Sequence, residues 1–299
     1  MTEAVYGAPP LELATPGTDA IQVSPLVLGA ASIEALEDRS LARMTVAAPP
    51  GVLERRYALA HALRALAPDG ELIALAPKTR GGARLGQELR GFGCEPAESG
   101  RRHHRICVVR RPPEPSGLDE AISAGAPQFV PGLELWSQPG VFSWDRLDEG
   151  TSRLLAALPP LAGRGADLGC GLGVLTLAVL RNPAVTELTA VDIDRRAVEA
   201  ARRNVTDDRA RIDHGDVRQT ALSGLDFVVM NPPFHAGGRE DKDLGAGFIA
   251  AAARALRRGG RCLLVANVAL PYEAPLGSAF RQVRALDRSG GYKVLEAVL

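Results

Sequence analysis

The sequence predicts an α/β protein of two doubly wound sheets in tandem, the N-terminal one a degenerate copy of the C-terminal one. Three observations predict it. Strands and helices alternate from residue 166 onward at the spacing of βαβ units. A glycine-rich loop, Asp167-Leu168-Gly169-Cys170-Gly171-Leu172-Gly173, opens the first helix of that series. Segments of the first half recur, in the same order, in the second.

The length of 299 residues suits about two domains at roughly 150 residues each. In the first half, Val46–Gly51 (VAAPPG) resembles Val229–Phe234 (VMNPPF). Ala65–Ala76 (ALAPDGELIALA) resembles Ala255–Ala266 (ALRRGGRCLLVA), and Ile106–Val109 resembles Val294–Ala297. The first copy has no glycine-rich loop, and Ala48 stands where the second copy has Asn231. The stretch from Arg110 to Gly132 is rich in proline and small residues and reads as a linker. The expected domains are residues 1–125 and 126–299.

In the second half, Ala166–Leu168 ends a strand and Leu172–Leu180 reads as a helix. Glu187–Asp192 is a strand, and Arg195–Asn204 a helix with Ala197, Val198 and Ala201 on one face. Ala210–His214 and Asp226–Met230 are strands, the latter apolar on both faces. Leu244–Leu256 is an alanine-rich helix, and Arg261–Ala266 and Tyr292–Val298 are the last strands.

Composition removes several function classes. Hydrophobic residues make up 46% and charged residues 23%, which argues against a disordered chain. No apolar run approaches the ~20 residues of a membrane helix, and the N-terminus has no basic and apolar leader pattern, so a cytoplasmic protein is expected. Thirty-five basic residues balance 35 acidic ones, so any contact with nucleic acid must use a local patch. The densest basic cluster is Arg101, Arg102, His103, His104 and Arg105, followed by Arg110 and Arg111. Cys94, Cys107, Cys170 and Cys262 form no C-x-x-C pair, and no metal site is expected.

The chemistry concentrates at two places. In the glycine loop the backbone can turn tightly and a ligand can approach it closely. Asp192, 19 residues beyond Gly173, ends the next strand where a carboxylate can bind ribose hydroxyls. Asp167 just ahead of the loop would repel a pyrophosphate and suits a cationic ligand instead. Asn231-Pro232-Pro233-Phe234 follows a strand, at the sheet edge where α/β proteins bind ligands. The Asn231 side-chain oxygen and the Pro232 carbonyl can accept hydrogens from one amino group, and Phe234 offers a ring to a planar base.

Together, D-x-G-x-G-x-G, the acidic strand end and N-P-P-F resemble a class I S-adenosylmethionine-dependent methyltransferase acting on nitrogen. Pro139–Gly150 (PGVFSWDRLDEG) is similar to a segment of the bacterial ribosomal RNA small-subunit guanine-N2 methyltransferase C family. Asn231–His235, Ala266-Asn267, Leu270-Pro271-Tyr272, Tyr292-Lys293-Val294 and Gly100–His103 also match. The resemblance implies an active C-terminal domain behind a degenerate one, with S-adenosylmethionine as cofactor.

It further implies that Asp167, Gly169 and Gly171 line the methionine part of the cofactor, with Gly173 also in the cofactor-binding loop. Asp192 binds its ribose, Asp216 accepts from the adenine amino group and Ile193 packs on the adenine. Phe142 and Ser143 close the far side. Asp194 fits a helix N-cap as well as a cofactor contact. Cys170 reads as a small wall of the loop, and His235 as a substrate-edge contact or packing. Asn231, Pro232, Pro233 and Phe234 form the catalytic set. The implied partner is ribosomal RNA or an assembling ribosomal subunit, met by a monomer. Two other readings stand beside this one: a nitrogen methyltransferase acting on adenine N6 or on protein glutamine, and a non-catalytic RNA-binding protein.

Overall fold

The computed structural model describes residues 2–299 apart from 234, 237, 238 and 241, and only the backbone of 235, 236, 239, 240 and 242. The chain divides into two compact units, Met1–Gln128 with Gln138–Gly140, and Phe129–Ser137 with Val141–Leu299.

The first unit holds β1 (Glu3–Tyr6), β2 (Ile21–Gln22), β3 (Leu41–Ala47), α1 (Val52–Ala65), β4 (Leu66–Pro77), α2 (Ala83–Arg90), β5 (Ala97–Arg101), β6 (His104–Arg110) and α3 (Leu118–Gly125). Its sheet runs β2-β1-β3-β4-β6-β5, with β6 antiparallel to both neighbours. Buried Met44, Val46, Leu59, Leu63, Leu72 and Phe92 form its core between sheet and helices.

A short hairpin, β7 (Gln128–Val130) and β8 (Leu135–Ser137), precedes the second series. There follow α4 (Glu149–Ala157), β9 (Gly163–Leu168), α5 (Val174–Leu180), β10 (Val185–Asp192), α6 (Arg195–Asn204), β11 (Ala210–His214) and β12 (Leu225–Met230). The chain continues through β13 (His235–Ala236), β14 (Arg239–Glu240), α7 (Lys242–Ala255), β15 (Leu256–Asn267), α8 (Glu273–Ala279), β16 (Gln282–Ser289) and β17 (Tyr292–Val298). The main sheet of this unit runs β11-β10-β9-β12-β15-β17-β16. It is not parallel throughout: β17 is antiparallel to β15. The reason is local, since β16 and β17 form a hairpin whose turn, Gly290-Gly291, has φ of 56° and 81°.

The two sheets share one topology from β3 and β12 onward, and the resemblance reaches individual atoms. A Cβ on Gly70 would lie 2.9 Å from the Ala67 carbonyl oxygen and 3.1 Å from that of Leu41. A Cβ on Gly260 would lie 2.8 Å from the Arg257 oxygen and 3.0 Å from that of Leu225. Both positions therefore require glycine, for the same turn in the same place, 190 residues apart. What the first unit lacks is the pair of α-helices between its first three strands: residues 7–20 contain none, and only a 3-10 turn, Ile33–Ala35, lies between β2 and β3. Those are the positions of α5 and α6, the helices that frame the glycine loop.

Candidate active site

The loop from Gly169 to Gly173 joins β9 to α5. Its three glycines have φ of 79°, 53° and 85°, a left-handed region that side chains disfavour. At Gly173 a Cβ would also strike Val205 at 2.9 Å. The neighbouring strand holds the loop in place. The Val191 carbonyl accepts from Gly169 N at 2.8 Å and Cys170 N at 3.1 Å. Asp192 Oδ2 accepts from Gly171 N at 2.8 Å, and its Oδ1 from Asp194 N at 2.9 Å. Burial pushes the Asp192 carboxyl above its ordinary value, against the pull of these N–H bonds.

Asp167 lies beneath the loop, fully buried. Its Oδ2 accepts from Thr176 Oγ1 at 2.7 Å, while its Oδ1 is buried with no partner. Burial raises its pKa to about 7; the Thr176 bond opposes the rise and the Asp192 charge adds to it. A buried oxygen without a donor, under an open glycine turn, fits a cationic group arriving from the loop side.

Asn231 directly follows β12, with its side-chain amide fixed. Nδ2 donates to Asp148 Oδ2 and to Thr151 Oγ1, each at 2.9 Å. Because a carboxylate only accepts, the amide nitrogen must face it. Only the Asn231 carbonyl oxygen is left for a ligand. The local sequence explains the partners. Asp148 is the N-cap of α4, and its Oδ2 also accepts from Thr151 N at 2.7 Å. Gly150 between them lets Tyr292 approach, since a Cβ there would lie 3.0 Å from the ring.

Phe142, Ser143, Asp148, Thr151, Gly169, Gly171 and Asn231 line one groove, which brings four of the residues expected at the cofactor to the same place as Asn231. Phe142 is 62% exposed and free to cover a bound ligand. Ile193, after Asp192, is also exposed. Asp194 caps α6 by accepting from Arg196 N at 3.0 Å and pairs with the Arg196 guanidinium at 2.8 Å, which gives it a structural role. Cys170 is buried, and burial raises its thiol well above the ordinary value, as a wall residue requires. Asp216 is already engaged: its Oδ1 accepts from Arg218 N at 2.9 Å and its Oδ2 from Arg218 Nη2 at 2.7 Å. Arg218 holds that carboxyl below its ordinary value. Pro232 is buried and Pro233 exposed, whereas Phe234 and the His235 side chain lie outside the described residues. Sequence reasoning gave Asp148 and Thr151 no role. The Asp-x-x-Thr capping pattern was a signal of a helix start, but its tie to Asn231 spans 83 residues.

Residues 132–296 match the family model of the methyltransferase small domain. The chain belongs to the methyltransferase small-domain family. A relative, the ribosomal RNA small subunit methyltransferase C of Shewanella sediminis, is 29% identical over 77% of this chain and 68% of its own length. The protein of the same name in Escherichia coli is 35% identical over 57% of this chain, and the match spans 50% of its length. The chain thus matches about half of the Escherichia coli relative. A solved structure of the T. thermophilus 16S rRNA N2 G1207 methyltransferase, in complex with AdoMet and guanosine, superposes with a TM-score of 0.79 at 25% identity, over all of this chain and 88% of that one. The methyltransferase fold, two sheets with one glycine loop, is the one described above. Among the described residues, no cluster of His, Cys, Asp and Glu could hold a metal ion, and no helix is long and apolar enough to cross a membrane.

Proposed function

We propose that this methyltransferase transfers the methyl group of S-adenosylmethionine to the exocyclic N2 of a guanine in small-subunit ribosomal RNA. The observation that carries the reading is the oriented Asn231 amide, whose carbonyl oxygen is left to receive an amino hydrogen beside the glycine loop. The names of the relatives and the guanosine-bound neighbour support guanine as the base.

The residues present fit the cofactor. Asp167 would meet its ammonium through the unpartnered Oδ1, Gly169 and Gly171 would let it approach the backbone, and Asp192 would bind its ribose. Ile193 would pack on the adenine, and Phe142 and Ser143 would cover it. Asp216 would reach the adenine only by sharing its carboxylate with Arg218. Bound there, the cofactor supplies a methyl group activated by a sulfonium.

The remaining work belongs to the protein. A guanine amino group is a weak nucleophile, because its lone pair is delocalised into the ring. Asn231 Oδ1 and the Pro232 carbonyl, accepting its two hydrogens, would turn the lone pair toward the methyl. Such alignment can lower a barrier by roughly 7–11 kcal/mol. The two prolines stiffen the backbone that carries these acceptors. Phe234 would stack on the flipped base, whose unstacking costs a few kcal/mol.

In this reading residues 126–299 carry the chemistry, and residues 1–125 are a degenerate half that helps to hold RNA. The protein works as a cytoplasmic monomer on ribosomal RNA or an assembling subunit. The test is methyl transfer from labelled S-adenosylmethionine to 16S ribosomal RNA and to 30S subunits lacking the modification, with the product located by mass mapping. Asn231→Ala should lower turnover by at least about 100-fold with cofactor affinity within about threefold of the parent. A methyl group found on adenine, or an Asn231→Ala enzyme within tenfold of the parent, would overturn the reading.

A further inference from the structure

We infer that Asp148 and Thr151 are positioning residues that lock the Asn231 side chain in the one amide orientation that can accept from the substrate amino group. The inference rests on the proposed nitrogen methylation and deepens it.

A free asparagine amide is nearly symmetric in shape and can sit either way round. One orientation presents an oxygen to the groove, the other an NH2. The second would meet an amino substrate donor to donor and repel it. The energetic difference between them is therefore the difference between a working and a blocked site.

Asn231 is held in the first orientation twice over. Asp148 Oδ2 and Thr151 Oγ1 each accept from Nδ2 at 2.9 Å, so both amide hydrogens are used. Flipping the amide would place its oxygen against the Asp148 carboxylate, a lone-pair clash next to a full charge. Asp148 itself is not free to turn away. Its Oδ2 is tied to Thr151 N at 2.7 Å as the cap of α4. Thr151 is a buried residue, at 8% exposure, which restrains its hydroxyl. One helix start thus holds two acceptors at the spacing of one amide NH2. At Gly150, between them, a Cβ would lie 3.0 Å from both Asp148 Oδ2 and the Tyr292 ring, a tight fit that the absence of a side chain avoids.

Neither residue needs to touch the reacting atoms. Their effect should fall on turnover and leave cofactor binding alone, and it should exist only while Asn231 is present. Two matched pairs of variants separate this from a folding role. Thr151→Val removes the hydroxyl and keeps the shape, whereas Thr151→Ser restores it. Asp148→Ala removes the oxygen that accepts from both Thr151 N and Asn231 Nδ2, whereas Asp148→Asn can keep a carbonyl oxygen facing the two.

The experiment measures single-turnover methyl transfer to 30S subunits lacking the modification, together with the side-chain 15N–1H2 resonances of Asn231 in the full chain. The expected result is a loss of about 10- to 100-fold for Asp148→Ala and about 3- to 10-fold for Thr151→Val. Asp148→Asn and Thr151→Ser should stay within about threefold of the parent. In an Asn231→Ala background, Thr151→Val should cause no further loss, because coupled residues are non-additive. The Asn231 amide protons should be shifted downfield and slow to exchange in the parent, and in Thr151→Val the proton that faced the hydroxyl should lose both properties. Equal losses from Thr151→Val with and without Asn231 would overturn the inference, as would an Asn231 amide that exchanges like a free side chain. If the parent transfers no methyl group to RNA, the proposed function falls, and the resonances still decide the geometry on their own.

Discussion

Thr176 donates its hydroxyl to one oxygen of Asp167 at 2.7 Å and leaves the other oxygen of the same carboxyl buried with no partner. This half-satisfied group lies directly under the glycine loop. Its burial raises the pKa to about 7, against an ordinary value of 3.8. The unfolded chain therefore loses this proton near pH 4, and the folded chain keeps it until about pH 7.

The first prediction follows from that gap. Between pH 4 and pH 7 the unfolded state binds fewer protons, so stability falls as pH rises, and the slope disappears above about 7. The full gap corresponds to about 4 kcal/mol. Asp167→Asn cannot ionise. Its stability relative to the parent should therefore climb from pH 5 to pH 8 in the absence of cofactor. Thermal unfolding at several pH values measures it, and a difference that does not change with pH would rule out the buried ionisation. Because an ammonium favours the ionised carboxylate, S-adenosylmethionine should also bind the parent more tightly at pH 8 than at pH 6, and Asp167→Asn should lose that dependence.

Asp192 makes a second prediction. Its two oxygens hold the Gly171 and Asp194 N–H groups, so it shapes the loop in addition to the ribose contact proposed for it. A charge-assisted hydrogen bond is worth about 1.5–3 kcal/mol, or roughly ten- to hundredfold in affinity. Asp192→Ala should weaken S-adenosylmethionine by at least that factor in a calorimetric titration. Asp192→Asn retains one acceptor and should lose less. Unchanged affinity in the alanine variant would leave Asp192 as a strand end only.

The basic cluster of the first unit looks different in three dimensions. Arg102 pairs with Glu12 at 2.5 Å, Arg105 with Glu98 at 3.2 Å and Arg110 with Glu71 at 3.5 Å. Arg111 is buried, with its Nε on the Leu63 carbonyl at 2.8 Å near the end of α1. A free cation on RNA contributes about 0.7–0.9 to the log–log salt slope. Arg101→Gln should remove most of that, and Arg102→Gln or Arg105→Gln less, since those two are ion-paired with Glu12 and Glu98. Arg111→Gln should cost about 1–3 kcal/mol of stability and leave the slope unchanged, because it abandons buried carbonyls. Salt titrations of RNA binding and thermal unfolding separate the two effects. A full loss of slope from Arg111→Gln would reverse this assignment.

What could be read from the sequence was local or periodic. The glycine loop, Asp192 at its spacing and Asn231 after an apolar strand all depend on residues close in the chain, and the structure gathers the loop and Asn231 into one groove. The β16 strand was not legible, because QVRALDRS is a largely exposed edge with no apolar alternation. The strands β1 and β2 were too short to show a period. The ties that orient Asn231 were hidden for another reason: nothing in a capping pattern says which distant side chain will use it. Arg218 on Asp216 is the converse case, a partner two residues away that a motif match passes over.

The last prediction concerns the segment of the first unit that corresponds to the Asn231 turn. Ala48-Pro49-Pro50 stands where the second unit has Asn231-Pro232-Pro233, and its carbonyls are taken. Arg55 Nη1 donates to Pro49 O at 3.0 Å and Pro50 O at 2.8 Å. The same buried guanidinium forms a two-pronged pair with Glu88, both bonds at 2.7 Å. The two helices α1 and α7 have equal length and each runs directly into a strand, so Arg55 corresponds to Gly245, 190 residues on. At Gly245 there is no side chain, and a Cβ would run into the Tyr272 hydroxyl. The second unit thus keeps an arginine off its Pro-Pro turn, and the first unit uses one to seal its own. Removing one partner of such a buried pair typically costs about 3–5 kcal/mol, while replacing both by apolar groups is often neutral. Arg55→Ala should therefore destabilise the protein by about that amount in denaturant unfolding, and Arg55→Met with Glu88→Leu by much less. Neither variant should add a second S-adenosylmethionine site, since the helices and glycines that would hold one are missing from this unit. A stoichiometry above one cofactor per chain in the double variant would show that Arg55 alone keeps a cofactor out of the first unit.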